Sequence, residues 1–198
     1  MFKRRMASHG KAKVERKAST GTREEHKEQH EKNEDAVRGR MGAIGAQIKV
    51  GVQGKKAGRE VKNAQTLDGL VKDMGTVVPD YVKSSQVYAK RLEMDKEAGE
   101  ITEEEYAQEM GNLLEKTNNL QADMNNQGLQ LAEFASMDGR IYDVHGQHVD
   151  LRTTVEENRD MLAEQIDKQP GVFSRFASAA KNPFTGLIKK GKAQLGGQ

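Results

Sequence analysis

The sequence predicts an all-α protein built from long amphipathic, coiled-coil-like helices with basic, partly irregular termini. Over residues 102–168, apolar side chains recur at alternating spacings of four and three, which is typical of a helix that packs along a narrow seam. Leu, Ile, Val and Phe number 37 of the 198 residues, close to the level at which a compact core becomes doubtful. Long helices need less core than a globule does, and only three Pro interrupt them.

The charges are segregated along the chain, although the net charge is only +2. Residues 1–23 carry eight Lys and Arg against one acid, whereas residues 93–169 carry nineteen acids against six bases. Residues 170–198 return to five bases and no acid. Basic ends on an acidic middle predict contact with polyanions at the ends, or packing of the ends on the middle of another copy.

Residues 1–22 form a basic arm that is nearly free of apolar residues, and we expect it to be mobile. Its cations are the candidate polyanion contacts: Lys3, Arg4, Arg5, Lys11, Lys13, Arg16 and Lys17. No apolar stretch follows the basic start, so we do not expect a secretory signal. No apolar run approaches the ~18 residues of a spanning helix, so we do not expect a transmembrane segment. The sequence does not identify the location, for which a virion or the cytoplasm is the leading expectation.

Residues 23–61 are predicted to be a charged and then Gly-rich basic helical segment. His26 and His30 share a helix face at i,i+4, and we expect both on a solvated charged surface. Six glycines follow within residues 37–61, each destabilising a helix by ~1 kcal/mol relative to Ala. This stretch is therefore either a helix that packs a smooth glycine face on another helix, or a flexible basic linker.

Residues 62–101 are predicted to be helical, with a kink or break at Pro79. Proline removes an amide donor and restricts the preceding residue, Val78. Gly99 is well placed to end the helix, because glycine readily adopts the left-handed conformation of that position.

Residues 102–168 are predicted to be an acidic, coiled-coil-like helix, or a hairpin that turns near residues 138–139. Thr102 can cap the first turn while Glu105 reaches back to it, which makes a capping box. Pro170 marks the end, since a helix rarely continues through it.

The apolar seam of this segment is our candidate for joining copies of the chain. Its residues are Leu113, Leu120, Met124, Leu131, Phe134, Ile141, Val144, Leu151, Val155 and Leu162. Met137 also falls on the pattern. Thr117, Gln127, His148 and Asn158 interrupt it with polar side chains, which weaken a seam but help to fix its register.

One stretch carries a family resemblance. It runs Lys96-Glu97-Ala98-Gly99-Glu100-Ile101-Thr102-Glu103-Glu104-Glu105-Tyr106 and closes on Leu113-Leu114. Over about residues 88–116 the chain resembles the short helical-hairpin module called SHOCT. That resemblance implies self-association and no chemistry.

Residues 170–198 are predicted to be a basic, Phe-containing amphipathic tail divided by Pro183. Its candidate contacts with a partner or a membrane are Val172, Phe173, Phe176, Phe184, Leu187 and Ile188. Such a segment docks into a partner groove, lies on a membrane surface or packs on the protein's own helices.

The sequence carries no recognisable reaction motif. It lacks Cys, the Gly-x-Ser-x-Gly elbow, the dinucleotide fingerprint and the phosphate loop. We therefore expect no enzyme activity, cofactor, metal site or small-molecule substrate.

Our leading hypothesis is a structural, oligomerising subunit that binds itself and other subunits of a larger assembly. An internal virion component of a tailed phage, such as an ejection or head–tail protein, is its concrete form. The alternatives are a DNA- or membrane-surface-binding protein acting through its basic ends, and a regulatory coiled-coil adaptor.

Overall fold

The computed structural model describes residues 12–58 and 64–168 of the chain. Within them lie four long helices: α1 (Arg23–Lys56), α2 (Ala64–Glu97), α3 (Glu103–Met137) and α4 (Tyr142–Asp167). A single 3₁₀ turn, Gly139–Ile141, precedes α4. These ranges contain no strand, so the predicted all-α class is confirmed.

The helices form a bundle in which consecutive helices run in opposite directions. α1 packs along α2, and α3 packs along α4, while α2 also lies beside α4 and α1 beside α3. Ion pairs join the two ends of α1 to the corresponding ends of α3, at Lys27–Glu109 and Lys55–Asp138, which shows that these two helices are parallel. α1 and α4 lie on opposite sides of the bundle. We call the end with the α3–α4 connection the turn end.

The Gly-rich half of α1 is helical as far as Lys56, so the helix alternative for this stretch is the correct one. Its buried face consists of Val37, Met41, Ile44, Ile48 and Gly51. Gly51 lies under the ring of Phe134, and a Cβ at position 51 would come within 2.3 Å of the Phe134 Cζ atom. Gly39 and Gly42 face open space. Only part of the glycine face is therefore used within the bundle.

The sequence predicted a kink or a break at Pro79. α2 continues through this residue, so the break is absent. Pro79 has no N–H to donate to the Gly75 carbonyl, a loss of about 3 kcal/mol in a helix interior. Val78 and Tyr81 beside it are completely buried, and this packing offsets the lost hydrogen bond.

The connection between α2 and α3 has the predicted geometry. Gly99 has a φ of 74°, its N–H donates to the Lys96 carbonyl at 3.1 Å, and the Glu100 N–H donates to the Asp95 carbonyl at 2.8 Å. This pair of hydrogen bonds is a Schellman motif. The predicted capping box of α3 is then present, with both of its hydrogen bonds.

The segment 102–168 is a hairpin and not one continuous helix. α3 ends at Met137, and the chain reverses through Asp138 and the 3₁₀ turn. The Asp138 carboxylate accepts hydrogen bonds from the Arg140 backbone N–H (3.2 Å) and guanidinium (2.8 Å), and it lies 3.6 Å from Lys55 Nζ. These cationic and hydrogen-bonding partners hold the pKa of Asp138 well below its usual range.

The seam of that segment lies inside the bundle. The buried members are Leu113, Leu120, Met124, Leu131, Phe134, Ile141, Val144, Val155 and Leu162, and Leu151 is partly buried. Met137 instead lies at the surface, 36% exposed, where the hairpin turns. Because the seam packs on helices of the same chain, its burial requires no second copy. Association of copies through it stays a prediction.

The second half of the N-terminal arm differs from the mobile segment we expected. Residues 12–18 are helical, and Ala18 within them is completely buried. The Arg91 guanidinium of α2 donates to the Gly21 carbonyl at 3.2 Å, which ties the following turn to the bundle. Thr22 and Glu25 then form a capping box that starts α1, a signal the sequence analysis missed.

Candidate functional site: polar core layers and two surface groups

The polar seam positions form hydrogen-bonded layers across the core. Thr117, Gln127, His148 and Asn158 are all buried. The Thr117 hydroxyl donates to the Leu113 carbonyl at 2.9 Å, so the Tyr81 hydroxyl donates to Thr117 Oγ1, also at 2.9 Å. Such paired polar layers penalise shifted registers, because a slip would leave buried polar groups without partners.

A second layer joins α1, α3 and α4 through Gln127. Its side-chain N–H donates to the Met41 carbonyl at 2.7 Å, so its Oε1 accepts from the Nε2–H of His148 at 3.1 Å. His148 Nδ1 therefore carries a lone pair, and no group described in the structure bonds to it. Burial lowers the pKa of His148 to about 4, which keeps this core histidine neutral at physiological pH.

His30 is a core residue, which corrects the expectation that it lies on a solvated face. Its side chain is on α1, 2% exposed, with its ring 5.0 Å from that of Tyr81. The Ser84 hydroxyl donates to the Tyr81 carbonyl at 2.9 Å and so accepts from His30 Nδ1–H at 3.4 Å. Burial lowers the pKa of His30 to about 4.

The sequence did contain a signal for His30. The buried positions of α1 are His30, Glu34, Val37, Met41, Ile44, Ile48 and Gly51, an unbroken alternation of four and three. The first two members of this repeat, His30 and Glu34, are polar and lie among charged residues. A pattern of apolar residues therefore does not include them.

A basic surface group lies where the N-terminal helical segment meets α2. Lys13, Arg16 and Lys17 are exposed on residues 12–18. The nearby ammonium of Lys83 on α2 lowers the pKa of Lys17, so the fold adds a cation that linear spacing could not reveal. Lys3, Arg4, Arg5 and Lys11 lie outside the described residues.

Large exposed apolar side chains are concentrated at the turn end. Within the described residues they are Val50 (58% exposed), Leu129 (71%), Met137 (36%) and Tyr142 (71%), which we call the turn-end group. Val50 lies near the level of Phe134 on α3, since the adjacent Gly51 contacts that ring. The predicted tail contacts Val172, Phe173, Phe176, Phe184, Leu187 and Ile188 lie outside the described part of the chain.

The described residues bring together no metal-binding group of three His, Asp or Glu side chains. Over residues 12–58 and 64–168, none of the helices has the combination of length and apolar character needed to cross a bilayer. Of the predicted site residues that the structure describes, the seam residues lie in the core and Lys13, Arg16 and Lys17 lie in the basic surface group.

Comparison of the chain with protein-family models, with curated proteins and with solved structures gave no match. The resemblance of residues 88–116 to the SHOCT module therefore stays a prediction. The helix, glycine turn and capped helix seen there follow from local hydrogen bonding, as described above.

Proposed function

We propose that this chain is a non-enzymatic, α-helical structural subunit that associates with copies of itself and with other subunits of a larger assembly. The observation that supports this function is the turn-end group. Single exposed apolar side chains are ordinary on a protein surface, but a concentration of them at one end is typical of an interaction site.

The turn-end group is not required by the bundle itself. Leu129 lies between the buried positions Gln127 and Leu131, and Tyr142 follows the buried Ile141, so the core at this level is already filled. Burying exposed apolar surface against another copy would gain about 25 cal/mol per Å². Because both copies would offer the same surface, a two-fold, end-to-end contact is the simplest arrangement.

This mode of association leaves the closed bundle intact. The seam residues stay buried within each chain, and the basic group near Lys17 and Lys83, which lies beside the middle of α2, stays exposed. A tailed-phage internal virion component is the concrete version of the proposal. It rests on composition: a helical chain without Cys and with basic ends that suit DNA.

The test is the mass of the native chain and of a double variant, Leu129→Lys with Tyr142→Lys, by light scattering at several concentrations. We expect the native chain to self-associate and the variant to be monomeric with unchanged helix content. The matched control is Asn119→Lys with Thr153→Lys, which adds the same charge at exposed positions of the same two helices. A monomeric native chain, or a variant that associates like the control, would contradict the proposal.

A second candidate, polyanion binding at the basic group, is favoured by the convergence of Lys83 on Lys17. Two neighbouring ammonium groups repel each other, and a phosphate between them would relieve that repulsion. Lys17→Gln and Lys83→Gln should each weaken DNA binding and reduce its dependence on log salt concentration by about one unit.

Lys49→Gln on the exposed face of α1 is the control for this measurement. Anionic lipid vesicles in place of DNA distinguish a membrane surface from a nucleic acid. Binding that Lys17→Gln and Lys83→Gln change no more than Lys49→Gln does would exclude this surface as the polyanion site.

A further inference from the structure

A polar cleft opens on the surface of the bundle, in the half that is farther from the turn end. It encloses about 210 Å³. His30 and Tyr88 contribute to its wall together with charged side chains of α1 and α3. A water occupies about 30 Å³ of liquid volume, so the cleft has room for a small molecule or for the end of a long side chain.

His30 gives this cleft an unused hydrogen-bond acceptor. Its Nδ1–H is committed to Ser84, so its Nε2 carries a lone pair. No group described in the structure bonds to that buried nitrogen. An unsatisfied buried acceptor destabilises a protein, so a donor that enters the cleft would be favoured.

The lysines of the cleft are already neutralised. Lys27 Nζ lies 2.9 Å from Glu109, whose carboxylate also accepts from the Tyr88 hydroxyl at 2.9 Å. Lys116 Nζ lies 3.3 Å from Glu31 and 3.6 Å from Glu34.

The remaining charge of the cleft is negative. Glu115 lies at the exposed rim, and the described part of the chain offers it no ion pair. The wall therefore carries three carboxylates, those of Glu31, Glu109 and Glu115, against two ammonium groups. A bound cation would be attracted and a bound anion repelled.

We propose that this cleft binds an ammonium or guanidinium group, whose N–H donates to His30 Nε2 and whose charge faces the carboxylates of the wall. An anion would gain no hydrogen bond from His30, since its Nε2 offers a lone pair and no proton.

The cation has two possible sources, a free amine or a basic side chain of the chain's own tail. The tail begins near the cleft, because Leu162 of α4 shares a buried cluster with Leu113 and Tyr88 of the cleft wall, and α4 ends soon afterwards at Asp167. Residues 170–198 contain five Lys and Arg and no acid.

The test is long-range ¹H–¹⁵N NMR of the histidine rings in the full chain at pH 7. We expect methylammonium or guanidinium to move the His30 Nε2 resonance upfield to a saturating value and to leave His148 Nδ1, an internal reference in the core, unchanged. Sodium acetate at the same ionic strength should have no such effect. A His30 Nε2 resonance that stays at its free value when the amine is added, or that responds equally to the sodium salt, would overturn the proposal.

Two substitutions add an independent check. His30→Phe removes the acceptor and should abolish the saturable binding, which chemical shifts of the surrounding amides report. Glu115→Gln changes only the exposed rim, so its fold should persist while binding weakens about two- to fivefold. Unchanged binding in Glu115→Gln would show that the negative charge of the wall does not attract the bound cation.

A variant of the full chain distinguishes a free amine from the chain's own tail as the source of the cation. In this variant Gln replaces all five tail cations: Arg175, Lys181, Lys189, Lys190 and Lys192. If the tail occupies the cleft, His30 Nε2 of the native chain is already shifted and returns to its free value in this variant. If the ligand is a free amine, both chains start at the free value and shift only when amine is added.

Discussion

At the scale of single residues, glycine at one position of α1 determines how closely α3 packs on it. Gly51 allows the Phe134 ring to lie directly on the α1 backbone, while Gly42 nearby faces open space. The two glycines share a helix and a Gly-rich sequence, so composition alone could not tell them apart. Only the position of α3 beside α1 assigns them different roles.

The two glycines should respond oppositely to substitution. Gly51→Ala places a Cβ against Phe134 and should lower the free energy of unfolding by about 1–3 kcal/mol. Gly42→Ala meets no atom and should raise it by about 0.5–1 kcal/mol, because alanine loses less backbone entropy in a helix. Urea unfolding followed by circular dichroism measures both, and equal stabilities would refute the Gly51–Phe134 packing.

The two core histidines should make the bundle sensitive to acid. Burial lowers both pKa values to about 4, below the value of about 6.5 in an unfolded chain. Between these two pKa values the unfolded chain binds protons that the folded chain does not bind. The free energy of unfolding should therefore fall as pH drops from about 6.5 towards about 4. Each histidine accounts for up to about 3 kcal/mol of this loss.

Urea midpoints at pH 7.5 and pH 4.5 measure this loss of stability. His30→Gln and His148→Gln each remove one titrating group, so each should reduce the difference between the two pH values. A difference that both variants leave at its native size would show that other groups control the acid response.

At the scale of elements, local hydrogen bonding made the helix ends predictable. The Thr102 capping box and the Gly99 turn were both identified in the sequence, because each depends on a few adjacent residues. The seam of α3 and α4 was also predicted from its spacing. The partner helices were not, since no local pattern says whether a seam packs on its own chain or on another copy.

The missed elements have physical explanations too. The buried face of α1 begins with His30 and Glu34, whose polarity hid a regular heptad spacing. A kink or break was expected at Pro79, and α2 is continuous there because buried neighbours hold the helix together. Lys83 joins Lys17 only through tertiary packing. In each case the tertiary environment outweighed the local signal.

The Asp138 turn should be important for the α3–α4 hairpin. Asp138→Asn removes the charge that faces Arg140 and Lys55, and it should lower the free energy of unfolding by about 1–3 kcal/mol. Asp143→Asn, an exposed change in the first turn of α4, is the control and should lower it by less than about 1 kcal/mol. Thermal or urea unfolding gives both values, and equal losses would rule out the role assigned to Asp138.

At the scale of the whole molecule, the segregated charges meet within one chain. Lys27, Arg38 and Lys55 of α1 pair with acidic residues of α3 or the turn that follows it. These three cations lie outside the basic ends of the chain, so packing of residues 1–23 or 170–198 on the acidic middle of another copy stays a prediction. What remains for a partner is the turn-end group and the basic surface group beside the middle of α2.

Each chain closes its own four-helix bundle around the seam. Because the chain has no Cys, spin labels can be attached cleanly to Asp35→Cys on α1 and Asn119→Cys on α3, exposed positions at the same level of two parallel neighbouring helices. We predict a short interspin distance, as expected for helix axes about 8–10 Å apart, that persists when the labelled chain is refolded with excess unlabelled chain. Loss of that short distance on dilution would show that the seam joins different copies and would contradict the single-chain bundle.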